Sequence, residues 1–126
     1  MLSYVLLFLG SAALASWGVM HLVKTRPVVE GFEPLTADNR HVLRMEWIVE
    51  GVALIFVAAL IAIFTALLGP RESGSGLVYG MSAVFLIGMS VVSLFTGARA
   101  ALLPYKLCAP IFTSVAILIL VGGFVA

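Results

Sequence analysis

Four apolar stretches occupy almost the whole chain, and each is long enough to cross a bilayer as a helix. A transmembrane helix needs roughly 17–25 mainly apolar residues, and the stretches at residues 2–23, 39–68, 76–99 and 104–126 all meet this requirement. They leave no room among the 126 residues for a separate soluble domain. The sequence therefore predicts one domain, residues 1–126, an all-α four-helix transmembrane bundle in up-down-up-down order.

Composition supports the membrane class and excludes others. Hydrophobic residues make up 63% of the chain and charged residues 10%, against about a quarter charged in soluble domains. The net charge of +1 provides no basic surface for nucleic acid, so no nucleic-acid partner is expected. The lone cysteine, Cys108, excludes an intramolecular disulfide and a cysteine-based metal cluster.

The first connection, residues 24–38, is the long one. Its two prolines and one glycine predict a loop without helix between the first and second spans. Val28, Val29 and Phe32 are too apolar for a freely solvated linker, so we expect the loop to lie along the interface or to fold over the bundle. Asp38 is the expected N-cap of the second helix.

The basic residues divide six to one between the two sides of the predicted bundle. Arg71 lies alone on one side, and the other side carries Lys24, Arg26, Arg40, Arg44, Arg99 and Lys106. The positive-inside rule then predicts that both termini face outside the cytoplasm.

The stretch NRHVLRMEWIVEG, residues 39–51, carries charge directly into the second apolar helix. Glu46 and Glu50 lie one turn apart and repel each other unless a proton or a cation intervenes. One interpretation is a proton carrier, general acid or cation ligand at the membrane boundary. The structural alternative is interhelical ion pairing with Lys24, Arg99 or Lys106, and we expect Arg99 or Lys106 to pair with one of the two acids. Glu50, the deeper acid, is expected to matter more.

Two histidines lie on the same side, His21 at the end of the first helix and His41 at the start of the second. A metal or bis-histidyl haem site would need both to converge with further ligands. The chain has no HxxxH, HExxH or CxxCH motif, so no metal and no cofactor is expected. His21 as a hydrogen-bonding or acid–base group in a polar pocket is the preferred functional interpretation.

Four aromatic residues are expected to form interfacial belts at headgroup depth: Trp17, Trp47, Tyr79 and Tyr105. Their alternative role is to wall a ligand pocket beside His21 and Glu50.

The runs WGVMHLVKTRPVVEGF and PLTADNRHVLRMEWIVEG resemble those of small bacterial four-helix integral membrane proteins, and the general plan resembles DoxX-type proteins. The resemblance implies a bacterial inner-membrane location and transfers no catalytic residue. A more distant likeness is to the sterol-isomerase and sigma-2-receptor-like family, which implies acids in a bundle that bind a cationic or sterol-like ligand.

The expected function is binding of a lipid-like or other amphiphilic ligand at the cytoplasmic leaflet, or an accessory role in a larger membrane complex. The alternative is a small membrane enzyme that uses Glu50, Glu46 and His21 for proton transfer, and the third is a transporter assembled as a homo-oligomer. The candidate ligand-binding residues are Trp17, His21, Arg44, Glu46, Trp47, Glu50, Arg99 and Lys106.

The topology can be tested by cysteine labelling in a Cys108→Ser background. With both termini outside, Ser73→Cys should react with a membrane-impermeant maleimide added to intact cells, because the connection after the second span then faces outward. Asn39→Cys, on the opposite side, should react only after permeabilisation. The reverse pattern would invert the topology.

Overall fold

The computed structural model describes residues 1–125 and contains five α-helices and one short 3₁₀ turn within that range. The elements are α1 (Leu2–Val23), α2 (Thr25–Glu30), α3 (Ala37–Leu67), α4 (Ser73–Phe95), the 3₁₀ turn (Gly97–Arg99) and α5 (Leu103–Phe124). Four of them, α1, α3, α4 and α5, are long and apolar enough to cross a membrane. The predicted all-α four-helix membrane fold is confirmed.

The four long helices form a ring in which α1 packs against α3 and α5, and α4 packs against α5 and α3. The interior contains large apolar side chains from every long helix, including Leu14, Leu54, Leu86 and Phe112, each fully buried. The outer faces are also apolar, as the 62% exposure of Phe56 illustrates. A bundle that is apolar on both sides is suited to lipid rather than water as its surroundings.

The helices α1 and α3 cross in close contact at two glycines. A Cβ atom on Gly18 would lie 2.8 Å from the carbonyl oxygen of Gly51, and one on Gly51 would lie 2.8 Å from Cβ of His21. Seven residues before Gly18, the Ser11 hydroxyl donates a hydrogen bond to the Ala58 carbonyl at 2.7 Å. Because only glycine permits this backbone approach, the two positions set the distance between α1 and α3.

The first connection differs from the predicted unstructured loop because residues 25–30 form α2. Pro27 lies within the first turn of this short helix, where a proline nitrogen needs no hydrogen-bond partner. Val28 and Val29 are buried, and the ring of Phe32 meets Tyr105 edge-on at 5.5 Å between centroids. The connection therefore folds over the end of the bundle, which is one of the two placements expected from the sequence.

A charged contact joins this connection to α3. The carboxylate of Glu33 accepts hydrogen bonds from the Leu35 backbone N–H at 2.8 Å and from Nε of Arg40 at 2.8 Å. The backbone hydrogen bond, assisted by Arg40, lowers the pKa of Glu33 below its ordinary value. The contact therefore contributes its full stability above the ordinary pKa of glutamate. This stability is lost as the pH falls through the lowered pKa of Glu33.

Two helix starts differ in detail from expectation. The N-cap of α3 is Thr36, whose hydroxyl accepts from the Asn39 N–H at 3.2 Å. Asp38, the predicted cap, lies inside the first turn, where its negative charge still favours the positive helix end. The last helix, α5, begins at Leu103 with Pro104 in its first turn, and it continues through Pro110.

We predict that Gly51→Ala destabilises the bundle, because the added methyl group would meet His21 Cβ and the Gly18 carbonyl at under 3 Å. Overpacking of this kind costs about 1–3 kcal/mol. The matched control is Gly88→Ala, since a Cβ there meets nothing within 4 Å. Thermal unfolding in detergent should show a lower midpoint for Gly51→Ala and an unchanged or slightly higher one for the control. Equal midpoints for the two variants would mean that α1 and α3 can shift to accept the added methyl group at little cost.

Candidate functional site

The structure brings four of the eight predicted site residues together and leaves four apart. Trp17 and His21 of α1 meet Trp47 and Glu50 of α3 at the end of the bundle covered by the first connection. The other four, Arg44, Glu46, Arg99 and Lys106, lie exposed at the surface. His41 is exposed too, so the two histidines do not converge.

His21 is the centre of this cluster and is fully buried. Its Nδ1 lies 2.8 Å from the Trp17 carbonyl oxygen. A carbonyl only accepts, so Nδ1 carries the hydrogen and donates it. The imidazole stacks on the Trp47 ring with 4.0 Å between centroids, and the Trp17 ring meets it edge-on at 5.5 Å. Both the orientation and the tautomer of His21 are therefore set by its neighbours.

The other ring nitrogen of His21 faces Glu50, with 3.7 Å between Nε2 and Oε1. This distance exceeds the roughly 2.7–3.2 Å of a hydrogen bond from nitrogen to oxygen. The Glu50 side chain keeps 25% of its surface exposed, so one side of the contact is open. Glu50 is thus partly buried whereas Glu46 is exposed, as expected for the deeper of the two acids.

The expected ion pairs between these acids and Arg99 or Lys106 are wrong. Among residues 1–125, the ion pairs within 4.0 Å between Lys or Arg and an acid are Arg26–Glu30 and Arg40–Glu33, and Nε2 of His21 lies 3.7 Å from Glu50. Glu46, Arg99 and Lys106 lie at the surface near the helix ends, where long charged side chains reach water or headgroups at little cost. Glu50 is instead directed inward to His21.

The belt interpretation of the aromatic residues is wrong for Trp47 and Tyr79, which are 1% and 0% exposed. Tyr79 lies in the opposite half of the bundle, where its hydroxyl and that of Thr65 are 2.8 Å apart. Trp47 instead contacts Tyr105, with 4.9 Å between ring centroids. Trp17 and Trp47 therefore flank His21, as the alternative interpretation expected, and Tyr105 packs against Trp47.

Cys108 is the site residue that sequence reasoning missed. Its sulfur, a ring nitrogen of His21 and a carboxylate oxygen of Glu50 all lie within 4.8 Å of one another. The available signal was positional, because Cys108 follows Tyr105 by three residues and so shares its helix face at the same end of the bundle. Nothing in the sequence specified that this face of α5 meets His21.

The cluster also contains most of the unsatisfied polar atoms in the interior. Within residues 1–125, four buried side-chain nitrogen or oxygen atoms lack a hydrogen-bond partner: Nε1 of Trp17, Nε2 of His21, Nε1 of Trp47 and Oγ of Ser75. Three of the four belong to the cluster. Buried polar groups are normally paired, so such a concentration points to a functional site.

A groove of about 130 Å³ opens beside Glu50 and is lined by residues of α3, α4, α5 and the 3₁₀ turn region. It is lined by Glu50, Met89, Val92, Ser93, Thr96, Gly97, Tyr105 and Cys108. One carboxylate residue and three hydroxyl-bearing residues, Ser93, Thr96 and Tyr105, therefore line a mainly apolar space.

This fold and site define a small helical membrane protein with a buried aromatic, histidine and carboxylate cluster. Comparison of the chain with protein-family models, curated proteins and solved structures gave no match.

We predict that His21→Ala lowers stability by about 2 kcal/mol or more, because it leaves a cavity between two tryptophan rings and removes the partner of Glu50. His41→Ala is the matched control and should change stability by less than about 0.5 kcal/mol, as exposed substitutions usually do. The measurement is unfolding of both variants in the same detergent. If both behave alike, His21 does not hold the cluster together.

Proposed function

We propose that the protein binds a membrane amphiphile whose polar end enters the groove at Glu50. The observation that carries this proposal is the partly exposed Glu50 carboxylate in a groove lined by hydroxyl groups, at a helix position surrounded by apolar residues. An ionisable group at such a position costs free energy and usually marks a functional site.

The size of the groove supports an amphiphile rather than an enclosed small molecule. Pockets that enclose a whole ligand measure about 300–1,000 Å³, whereas this groove measures about 130 Å³. It has room for a polar group and a few attached atoms. The apolar remainder of the ligand would lie along the outer face of α4, where Val92 is 62% exposed.

The chemistry of the lining favours a ligand end that donates hydrogen bonds or carries positive charge. An ionised carboxylate only accepts, and the hydroxyls of Ser93, Thr96 and Tyr105 can complete the coordination of an amine or alcohol. With the basic-rich end of the bundle in the cytoplasm, this groove opens at the cytoplasmic leaflet.

A second candidate function is proton transfer in a small membrane enzyme. It is favoured by the 3.7 Å approach of His21 Nε2 to Glu50 Oε1, an arrangement in which one proton can serve either group. The exposed position of Glu46 removes it from this mechanism.

The binding proposal can be tested with a long-chain primary amine and the alcohol of equal chain length. Both tryptophans of the chain flank His21, so intrinsic fluorescence reports directly on this end of the bundle. We expect saturable binding of the amine, weakened at least about tenfold by Glu50→Gln through loss of a charge-assisted hydrogen bond. Glu46→Gln is the charge-matched control and should bind as the wild type does.

A second variant tests the space in the groove independently of the Glu50 carboxylate. Ser93→Phe fills the groove from α4 and should abolish binding of both the amine and the alcohol. Identical titrations for the wild type and the variants Glu50→Gln and Ser93→Phe would refute the proposal and favour an accessory subunit. Partner proteins retained in mild detergent would then be the next observation to seek.

A further inference from the structure

We propose that His21, Glu50 and Cys108 form a binding site for a divalent transition-metal ion of the zinc class. The three residues come from α1, α3 and α5, and their ligand atoms lie within 4.8 Å of one another. This site goes beyond amphiphile binding and does not require it.

The tautomer of His21 provides the first argument. Nδ1 donates to the Trp17 carbonyl at 2.8 Å, so in the neutral ring Nε2 carries a lone pair. A metal-binding histidine usually donates its other ring N–H to a carbonyl or carboxylate in this manner. His21 therefore has the orientation and second contact of a ligand that binds through Nε2.

The direction of that lone pair provides the second argument. Nε2 is buried, has no hydrogen-bond partner within residues 1–125, and faces Oε1 of Glu50 at 3.7 Å. A lone pair opposite a carboxylate oxygen is repulsive unless a proton or a metal ion lies between them. The spacing exceeds a hydrogen bond, and it is close to the separation of two atoms that share a metal ion.

Ligand separations agree with a tetrahedral ion after small side-chain movements. Bonds of about 2.0–2.3 Å in a tetrahedron place ligand atoms about 3.4–3.6 Å apart. The upper limit of 4.8 Å in the cluster is about an ångström greater. The Cys108 thiol is held by one weak hydrogen bond to the Pro104 carbonyl at 3.4 Å, so its rotation sacrifices little.

Charge balance supports a divalent ion. A carboxylate, a thiolate and a neutral imidazole together carry a charge of −2, which one divalent cation neutralises. Neutrality matters because uncompensated charge is costly in the apolar interior. On binding, the ion replaces the thiol proton of Cys108, and that proton is released to solvent through the open side of the site.

The donor set selects the class of ion. Nitrogen and sulfur ligands favour Zn²⁺ and similar borderline ions, whereas Mg²⁺ and Ca²⁺ prefer oxygen alone. Since Glu50 and Cys108 both line the groove, the fourth coordination position opens into it. Three protein ligands with one open position are the pattern of zinc sites that accept water or a substrate.

Cobalt(II) is the probe for the test, because a thiolate ligand gives it a charge-transfer band in the near ultraviolet. The full chain, carrying an affinity tag without histidine, is titrated with Co²⁺ in detergent after metal removal, and Zn²⁺ is then added in competition. We expect one Co²⁺ per chain, a charge-transfer band, and displacement of Co²⁺ by Zn²⁺. Absence of stoichiometric binding, or a complex without the band, would overturn the proposal and favour a shared proton between His21 and Glu50.

Variants assign the ligands and separate this site from the groove. Cys108→Ser is nearly isosteric and should eliminate the band, while His21→Gln and Glu50→Gln should each weaken binding at least tenfold. His41→Gln and Glu46→Gln are the exposed controls and should bind as the wild type does. Binding equal in the wild type and Cys108→Ser would place the ion at the surface and refute the site.

Ser93→Phe distinguishes failure of this proposal from failure of the amphiphile proposal. It obstructs the groove but replaces no metal ligand, so the cobalt band should persist while amphiphile binding is lost. Circular dichroism and a monodisperse elution profile establish that each variant is folded. Loss of the band in Ser93→Phe, with the fold intact, would contradict the assignment of the three ligands.

Discussion

The contact between Gly18 of α1 and Gly51 of α3 determines how the rest of this end of the bundle is built. In a bilayer, apolar surface gives helices little reason to associate, and close van der Waals packing takes its place. The two glycines allow the backbones to meet, with the carbonyl of Gly51 only 2.8 Å from a Cβ placed on Gly18. The next turn of α1 then presents His21 to Trp47 and Glu50. The same packing of α1 on α3 therefore determines both the stability of the crossing and the geometry of the site.

Several buried hydroxyl groups elsewhere in the bundle are paired across or along helices, although that of Ser75 is not. Ser11 reaches the Ala58 carbonyl, and Ser90 reaches both the Ala109 carbonyl and the Thr113 hydroxyl. Such pairs remove the cost of burying a hydroxyl group in an apolar interior. The cluster around His21 departs from this pattern, since three of its buried nitrogen atoms lack partners within residues 1–125. An incompletely satisfied set of donors and acceptors beside an open groove is the physical basis of both proposals.

The groove and the proposed metal site share two residues, Glu50 and Cys108, but depend on different properties. The groove depends on space between α3 and α4 and on hydroxyl groups such as that of Ser93. The metal site depends on the tautomer of His21 and on the position of Cys108. Glu50 and Cys108 belong to both, and Glu50 combines an inward contact with a partly exposed surface.

The sequence by itself determined the number of spans, the helical class and the end of the bundle at which Trp17, His21, Trp47 and Glu50 lie. These follow from hydropathy and chain length, because a bilayer requires each span to satisfy its own backbone and to have a particular length. Hydropathy predicted neither the short helix α2 nor the Thr36 cap, which depend on local contacts. The tertiary structure decided which side chains contact one another. Glu50 faces His21 rather than Arg99 or Lys106, and Cys108 joins them, because these contacts depend on the rotation of each helix about its axis. That rotation is set by packing between residues far apart in sequence, and hydropathy carries no information about it.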